Sequence, residues 1–550
     1  MTNSKIKRLV RWPTRHPVAR AAAVLAVSFG FGVSAWALIT SSGDLALVSA
    51  TEGTGVATAG GHVIQSSLTT QIGNGQGAAA LALAIDHGDK LFQAKFNAAD
   101  GIGARVGAGE RFTRMPRADK TGAGEWATHT PARATGPNAQ SCTGCHNQGG
   151  DDGAGEASDN VHRDANHTGR LNQQVTRNTP HLFGLGGQQK LAEEMTVDLQ
   201  AIRTAGRTAL GCGSSTTAGS TARALSSKGI SFGTLTINHA AGTTGCTESL
   251  SPPVAGGANS VSADLVVRPY QWKGAVAFIR DFVRGAAHNE LGMQGSELLG
   301  SPTVDPSTVD GDGDGVRNEL FVGDITALTI YQAAQPRPTT KVELAGLGLI
   351  PALTAAETAS INRGAPLFNS MGCNSCHVPS LVANDVIFRE PSANANFRDA
   401  GNLFPNGRTY AQSQLDPARP LVFDITRDHV ENATPVLANG QKLGDFTRDA
   451  QGHAIIALFG DLRRHDMGAG LAEEVDEQGT GASVFMTENL WGAGSSPPYL
   501  HDGRAASLTE AILEHGGEGQ TSRNNFAAAS LQNRQDVIAF LNNLVLFKNE

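Results

Sequence analysis

Four of the six cysteines in this 550-residue chain stand in two copies of one pattern, Cys142-Thr143-Gly144-Cys145-His146 and Cys373-Asn374-Ser375-Cys376-His377. Two thiols with a two-residue spacer and an imidazole directly behind them are what attaches a c-type haem. Each thiol adds across a vinyl group to give a thioether, and the His offers a nitrogen to the iron. Zinc binding and redox dithiol chemistry are the competing uses. Zinc gathers four protein ligands, whereas these motifs lie about 230 residues apart. A redox C-x-x-C has no need of the following His. The spacing therefore predicts two covalently bound haem c groups, held by Cys142, Cys145, Cys373 and Cys376, with His146 and His377 as iron ligands.

Two further groups could do chemistry. Cys212 and Cys246 flank a Ser/Thr/Gly-rich stretch that reads as an inserted loop. A disulfide there would contribute roughly 3–4 kcal/mol in the chain-entropy model, and two free thiols are the alternative. Asp310, Asp312 and Asp314 alternate with glycines, as in a loop whose carboxylates converge on Ca2+. The twelfth position of such a loop is Phe321 rather than the bidentate Glu, and a solvated acidic turn is the competing reading.

The elements that must position these groups are short. Gly 66 and Pro 23 among 550 residues exclude a coiled coil, a helical repeat or a long-helix bundle. The net charge of −8, with no basic stripe, sets nucleic-acid binding aside. Lys5 to Arg20 precede an apolar run from Ala21 to Ile39 and the small-x-small Ala35-Trp36-Ala37, the layout of an export signal or an uncleaved anchor. An exported, periplasmic chain is expected, in a compartment where disulfides persist. Residues 41–75 read as a linker, 76–299 as an N-terminal haem c lobe with a 206–262 insertion, 300–345 as an Asp/Gly-rich connector, and 346–550 as a C-terminal haem c lobe. Helices are expected over Ala78–Asn97, Leu191–Ala205, Trp272–Glu290 and Thr354–Ser370. Ser507-Leu508-Thr509-Glu510 is a capping box opening a short helix that ends at His515, before Gly516-Gly517. The expected fold is mainly α, two cytochrome c-like haem lobes with long loops in pseudo-two-fold relation.

The run Tyr499-Leu500-His501-Asp502-Gly503-Arg504, with Leu508-Thr509-Glu510-Ala511, resembles the C-terminal motif of bacterial di-haem cytochrome c peroxidases. His465-Asp466-Met467-Gly468, Leu490-Trp491-Gly492 and Glu514-His515-Gly516-Gly517-Glu518 resemble the di-haem oxidoreductase, or "thiol oxidoreductase", branch of that superfamily. Thr179-Pro180-His181 and Cys376-His377-Val378-Pro379 fit the same branch. The resemblance covers about residues 85–205 and 265–548. It implies a distal ligand for the second haem fourteen residues after His501, which is His515 where the peroxidases have Met; Met467 is the competitor. It implies a removable distal ligand on the first haem at His162, with His167 nearby. It implies catalytic Gln and Glu residues in a segment like 179–195, for which Gln188, Gln189, Glu193 and Glu194 are the candidates, and an electron-relaying Trp272. The implied activity is reduction of hydrogen peroxide, with electrons from a small redox protein of cytochrome c or cupredoxin type passing from the C-terminal haem to the N-terminal haem. A dioxygen-using haem oxygenase, a protein-modifying di-haem enzyme and a pure electron carrier are the alternatives.

Overall fold

The computed structural model describes residues 55–103, 111–116, 131–150, 152–253 and 257–548. The expected signal segment, 1–40, lies outside the described residues. In chain order the main helices are α1 (Gly77–Gln93), α2 (Leu185–Ala209), α3 (Ile279–Ala286), α4 (Val322–Ala333), α5 (Ala355–Ser370), α6 (Leu508–Glu514), α7 (Gln520–Ala528) and α8 (Leu531–Leu541). The three longest strands are β1 (Gly219–Ser227), β2 (Ile230–His239) and β3 (Cys246–Ser251), which pair antiparallel in the order β1-β2-β3.

The expectation of a mainly α molecule built from two cytochrome c-like lobes is corrected by this structure, which is mixed α/β. Fourteen strands in six sheets of two or three strands accompany the helices among the described residues. The physical reason lies in the connecting segments. Buried backbone N–H and C=O groups must be paired, and the Gly/Pro-rich stretches cannot pair them in helices. They pair with each other instead: Val161–Arg163 with Val175–Arg177, Leu381–Ala383 with Ala454–Ile456, and Arg464–Asp466 with Val484–Met486.

Two helix pairs stand beside the cysteine motifs. In α1 the buried residues Ala80, Ala84, Ile85, Gly88, Leu91 and Phe92 share one face, as the 3.6-residue period requires. That face meets α4 at Gly88, where a Cβ would stand 2.3 Å from the Ala327 carbonyl oxygen. In α5 the Thr354 hydroxyl and the Glu357 carboxylate form a capping box at the N-terminus. This helix crosses α8 at Gly364, where a Cβ would stand 2.1 Å from the Asp536 carbonyl oxygen. α5 stops at Gly372, whose φ of +86° is the left-handed conformation that ends helices, and Cys373 follows at once.

The 206–262 stretch, expected as a loop, is an ordered sheet. Leu225, Phe232, Leu235 and Ile237 are buried, and Ile237 and Arg223 pack beneath Gly206 of α2. A Cys212–Cys246 disulfide ties the end of α2 to β3, with Cα atoms 5.7 Å apart. Within the stretch read as a linker, Gln65–Gly73 is helical and Leu68 is fully buried. No helix among the described residues is long and apolar enough to cross a membrane.

Candidate functional site

Each Cys-x-x-Cys-His motif opens onto its own cavity. The first, of about 190 Å³, is lined by Cys142, Cys145 and His146, by Phe92 of α1, and by Leu328 and Gln332 of α4. The motif starts as a single tight turn, with the Ser141 hydroxyl accepting from the Gly144 N–H at 3.1 Å. His146 Nδ1 lies 3.1 Å from the Gly153 carbonyl. A carbonyl can only accept, so Nδ1 carries the proton, and the Pro180 carbonyl lies close to the ring as well. Burial pushes His146 down to about 4, so the ring is a neutral donor at neutral pH.

The second cavity, of about 210 Å³, repeats this chemistry with Cys373, Cys376 and His377. His377 Nδ1 donates to the Phe459 carbonyl at 3.2 Å, and burial, with His515 adding to it, pushes the ring down to about 4. His515, at the C-terminus of α6, donates from Nδ1 to the Ala511 carbonyl at 2.7 Å, and burial lowers its pKa too. Both imidazoles therefore keep a free Nε2. Their ring centroids stand 6.4 Å apart. With metal–nitrogen bonds of roughly 2.0–2.1 Å, two imidazoles on opposite sides of one ion place their ring centres about 6 Å apart, so this pair fits an iron between them.

The donor set favours haem over the competing uses of the cysteines. The four motif cysteines form no disulfide. Burial pushes the Cys142 and Cys145 thiols up to about 12 and Cys373 up to about 11, the reverse of what a reactive dithiol needs. Cys376, Asp461 and His465 form a cluster of metal-ligand types. His465, however, has Nε2 2.9 Å from Asp461 and Nδ1 3.0 Å from Glu518. Both ring nitrogens donate, no lone pair is left, and the two carboxylates hold the ring as an imidazolium, its pKa raised to about 11 against the opposing effect of burial.

Trp272 lies between the two sites. It lines both cavities, together with the strip Asn178–Pro180. Its indole N–H donates to the Asn178 carbonyl at 2.9 Å. His501, from the His-Asp-Gly motif, stands edge-on to Trp272 at 6.4 Å and stacks on Phe485 at 4.1 Å. His181 is committed elsewhere: Nε2 donates to the Trp491 carbonyl at 2.8 Å, and Nδ1 accepts from the Phe183 N–H.

Other residues singled out in the sequence sit apart from the first cavity. Strand alternation turns Val161 and Arg163 towards it, and His162 is absent from its lining. His162 Nδ1 lies 3.4 Å from the Thr176 hydroxyl, and His167 bonds the Arg133 carbonyl. Gln188 donates to the Pro269 carbonyl at 3.0 Å and lines a smaller cavity of about 60 Å³ beside Trp272. Gln189 and Glu193 bond each other, and Glu193 also takes Lys190 and Ser392. Glu194 binds Lys228 and the Asp385 N–H. These α2 side chains brace the helix against its neighbours. Met467 lines the second cavity.

The residue that sequence reading missed is Glu290. The chain leaves α3 through one π-helical turn, Ala287–Leu291, and this places Glu290 on the lining of the first cavity. Its Oε2 is buried and accepts no hydrogen bond, and burial pushes the carboxyl up to about 7. In the sequence it is one acidic residue at a helix end, with no spacing to set it apart. The Asp310, Asp312 and Asp314 carboxylates do converge, with ligand atoms within 4.8 Å of one another. Arg111 bonds Asp314 at 2.9 Å, and burial and Asp314 push Asp312 up to about 8.

Residues 425–544 match the family model described as "Di-haem oxidoreductase, putative peroxidase". The span includes Met467, His501 and His515, and it bears out the resemblance read in the sequence to that branch. The chain is also similar to a solved structure titled "Crystal structure of a MauG-like protein associated with microbial copper homeostasis", at 14% identity over 66% of this chain and 88% of that one, with a TM-score of 0.22. A likeness at that level carries no argument. No curated protein matches the chain.

Proposed function

We propose that this chain is a periplasmic di-haem c oxidoreductase that reduces hydrogen peroxide to water. Cys142 and Cys145 carry one haem with His146 as its iron ligand. Cys373 and Cys376 would hold the other, with His377 and His515 as the residues that would ligate its iron. The observation that supports this reading most directly is the pair of cavities. Each holds a Cys-x-x-Cys-His whose imidazole is fixed by a backbone carbonyl, and the two share Trp272.

Haem iron supplies the electron chemistry that breaks an O–O bond when a peroxide reaches it. The chain's residues supply the rest. The reaction H2O2 + 2 e− + 2 H+ → 2 H2O needs a group that takes a proton from one oxygen and returns it to the other. Glu290 has the position and the proton affinity for this, with an unbonded Oε2 on the cavity that holds His146. Among the residues lining that cavity, His146 is the one imidazole. Trp272 fills the gap between the cavities, so electrons from a small redox protein cross an indole, not water, on their way from the C-terminal site to the N-terminal one.

The acidic turn supports a Ca2+ site at Asp310, Asp312 and Asp314. Asp312 is almost fully buried and its Oδ2 accepts no hydrogen bond, an expensive arrangement without a cation. Added Ca2+ should raise the unfolding temperature of the wild type and not of Asp312→Asn.

Optical and EPR spectra of the purified protein, oxidised and half-reduced, with and without peroxide, test the main reading. One high-spin haem that changes rapidly with peroxide is expected. Two low-spin haems that ignore peroxide in both states would leave an electron carrier. A stable dioxygen complex would favour an oxygenase, and an oxidised state shared between both haems a protein-modifying enzyme.

A further inference from the structure

Two iron-ligating side chains compete for one face of the second cavity. A Cβ at Gly519 would stand 3.2 Å from His515 Cδ2 and 3.3 Å from Met467 Cε, so imidazole and thioether flank the same backbone atom. Both line the cavity that holds His377. An imidazole and a thioether give haem iron very different potentials, the thioether raising it. Something in the fold must therefore select one of them.

The loop that follows His515 is held by its neighbour strand at one charged side chain. Glu518 accepts from His465 Nδ1 at 3.0 Å and from the Asp466 backbone N–H at 3.0 Å. On its other side His465 donates to Asp461 at 2.9 Å. Asp461 is fully buried and is itself fixed by the Arg463 N–H at 3.0 Å and the Thr487 hydroxyl at 2.7 Å. The backbones are in direct contact along this seam. A Cβ at Gly517 would stand 2.1 Å from the Asp466 carbonyl oxygen, and one at Gly516 would stand 2.8 Å from that of Met467. The Arg464–Asp466 strand, which Met467 follows, and the loop after His515 are thus clamped together, and the charged part of the clamp is the Asp461–His465–Glu518 array, with Arg463 3.8 Å from Glu518 and 3.9 Å from Asp461 beside it.

We infer that the Asp461–His465–Glu518 array is a ligand-selecting clamp: Glu518 and His465 are positioning residues that keep His515, and not Met467, as the donor that would join His377 in holding the C-terminal haem. The inference rests on the proposed binding of haem between His377 and His515. With the clamp closed, the Gly516–Gly517 backbone is pinned over Met467 and His515 stays at the cavity. When the Glu518 carboxylate is replaced by an amide, the loop loses its charged hold on His465, and Met467 can stand in for His515 as the donor. The clamp thereby sets the potential of the site that receives electrons.

The test compares the haem-loaded wild type with Glu518→Gln and with the double variant Glu518→Gln/Met467→Leu, by near-infrared absorption, EPR and redox titration. Gln keeps the size of the side chain and an oxygen for the Asp466 N–H, so the fold is retained. The expected result is a bis-imidazole spectrum in the wild type. Glu518→Gln should gain the charge-transfer band that ferric haem shows with a thioether ligand, together with a higher midpoint potential. Both changes should vanish in the double variant. An unaltered bis-imidazole spectrum in Glu518→Gln would overturn the clamp while leaving the ligand pair intact. A thioether signature already present in the wild type, and lost in Met467→Leu, would overturn the His515 assignment beneath it. Folding of each variant is read separately from circular dichroism.

Discussion

At the scale of single residues the first cavity turns on one carboxyl. Glu290 is neutral at the pH where a surface glutamate is ionised, because burial disfavours the charged form. Its folded pKa is raised to about 7, so the stability it contributes is fully present below the ordinary carboxylate range and is lost as pH rises through about 7. If the residue begins the reaction as proton acceptor, turnover should rise across the same interval. Glu290→Gln should lower kcat for peroxide by about 10²–10⁴-fold, the usual share of a general acid–base group, and abolish the inflection near pH 7. It should also flatten the pH dependence of unfolding there. Steady-state kinetics and thermal melts from pH 5 to 9 check both. The same variant leaves His146 and its Gly153 carbonyl partner untouched, so the resting spectrum should keep its His-ligated haem.

At the scale of elements, two close helix crossings and one disulfide do most of the positioning. Gly364 lets α5 lie on α8 where any side chain would meet the Asp536 carbonyl. Ala there would gain about 1 kcal/mol in helix propensity, yet the clash forces the helices apart at a cost of about 1–3 kcal/mol. Gly364→Ala should therefore lower the unfolding temperature and disturb the second haem's spectrum before the first's, because α5 delivers Cys373. The Cys212–Cys246 disulfide works through the unfolded chain instead. Its closed loop spans a sequence separation of 34, worth about 3–4 kcal/mol in the chain-entropy model. Replacing both cysteines by Ser should lower stability by that order in denaturant titrations, with both haem spectra unchanged, since β1–β3 pack on α2 away from either cavity.

At the scale of the whole molecule the two cavities are joined by one aromatic side chain and one strip of backbone. Trp272 donates to Asn178, and both line each cavity. Trp272→Phe keeps an aromatic ring and loses the N–H, which leaves the Asn178 carbonyl to find another donor. Single-turnover mixing of the reduced protein with peroxide should show the C-terminal haem oxidised at least tenfold more slowly in this variant, while each haem's equilibrium spectrum and potential stay as in the wild type. Equal rates would place the electron path elsewhere. The halves of the chain are also tied by buried ion pairs, Arg280 with Glu297 and Glu390, and Arg284 with Glu297 and Asp399. These carboxylates come from both sides of the connector, so disrupting one is expected to affect both cavities together.

The sequence by itself determined which groups can react and where they stand, two Cys-x-x-Cys-His runs at 142–146 and 373–377. Cys-x-x-Cys-His is a local motif: the reactive groups lie within five residues, and one tight turn at the end of a connecting segment suffices to present them. The capping box at Ser507 and the Gly pair after His515 were legible for the same reason, because helix ends are written in neighbouring residues. What the sequence left open was set by contacts between residues far apart. The short sheets form wherever two connecting segments run alongside each other, which no local period announces, and that is why a mainly α reading gave way to a mixed one. Glu290 became a cavity residue through a single π-helical turn, and His162 faced away because its strand alternates with a partner fourteen residues on. Local spacing decides which groups can react. Burial and neighbours, supplied only by the tertiary structure, decide which of them keep a free lone pair, a free proton or a place at the cavity.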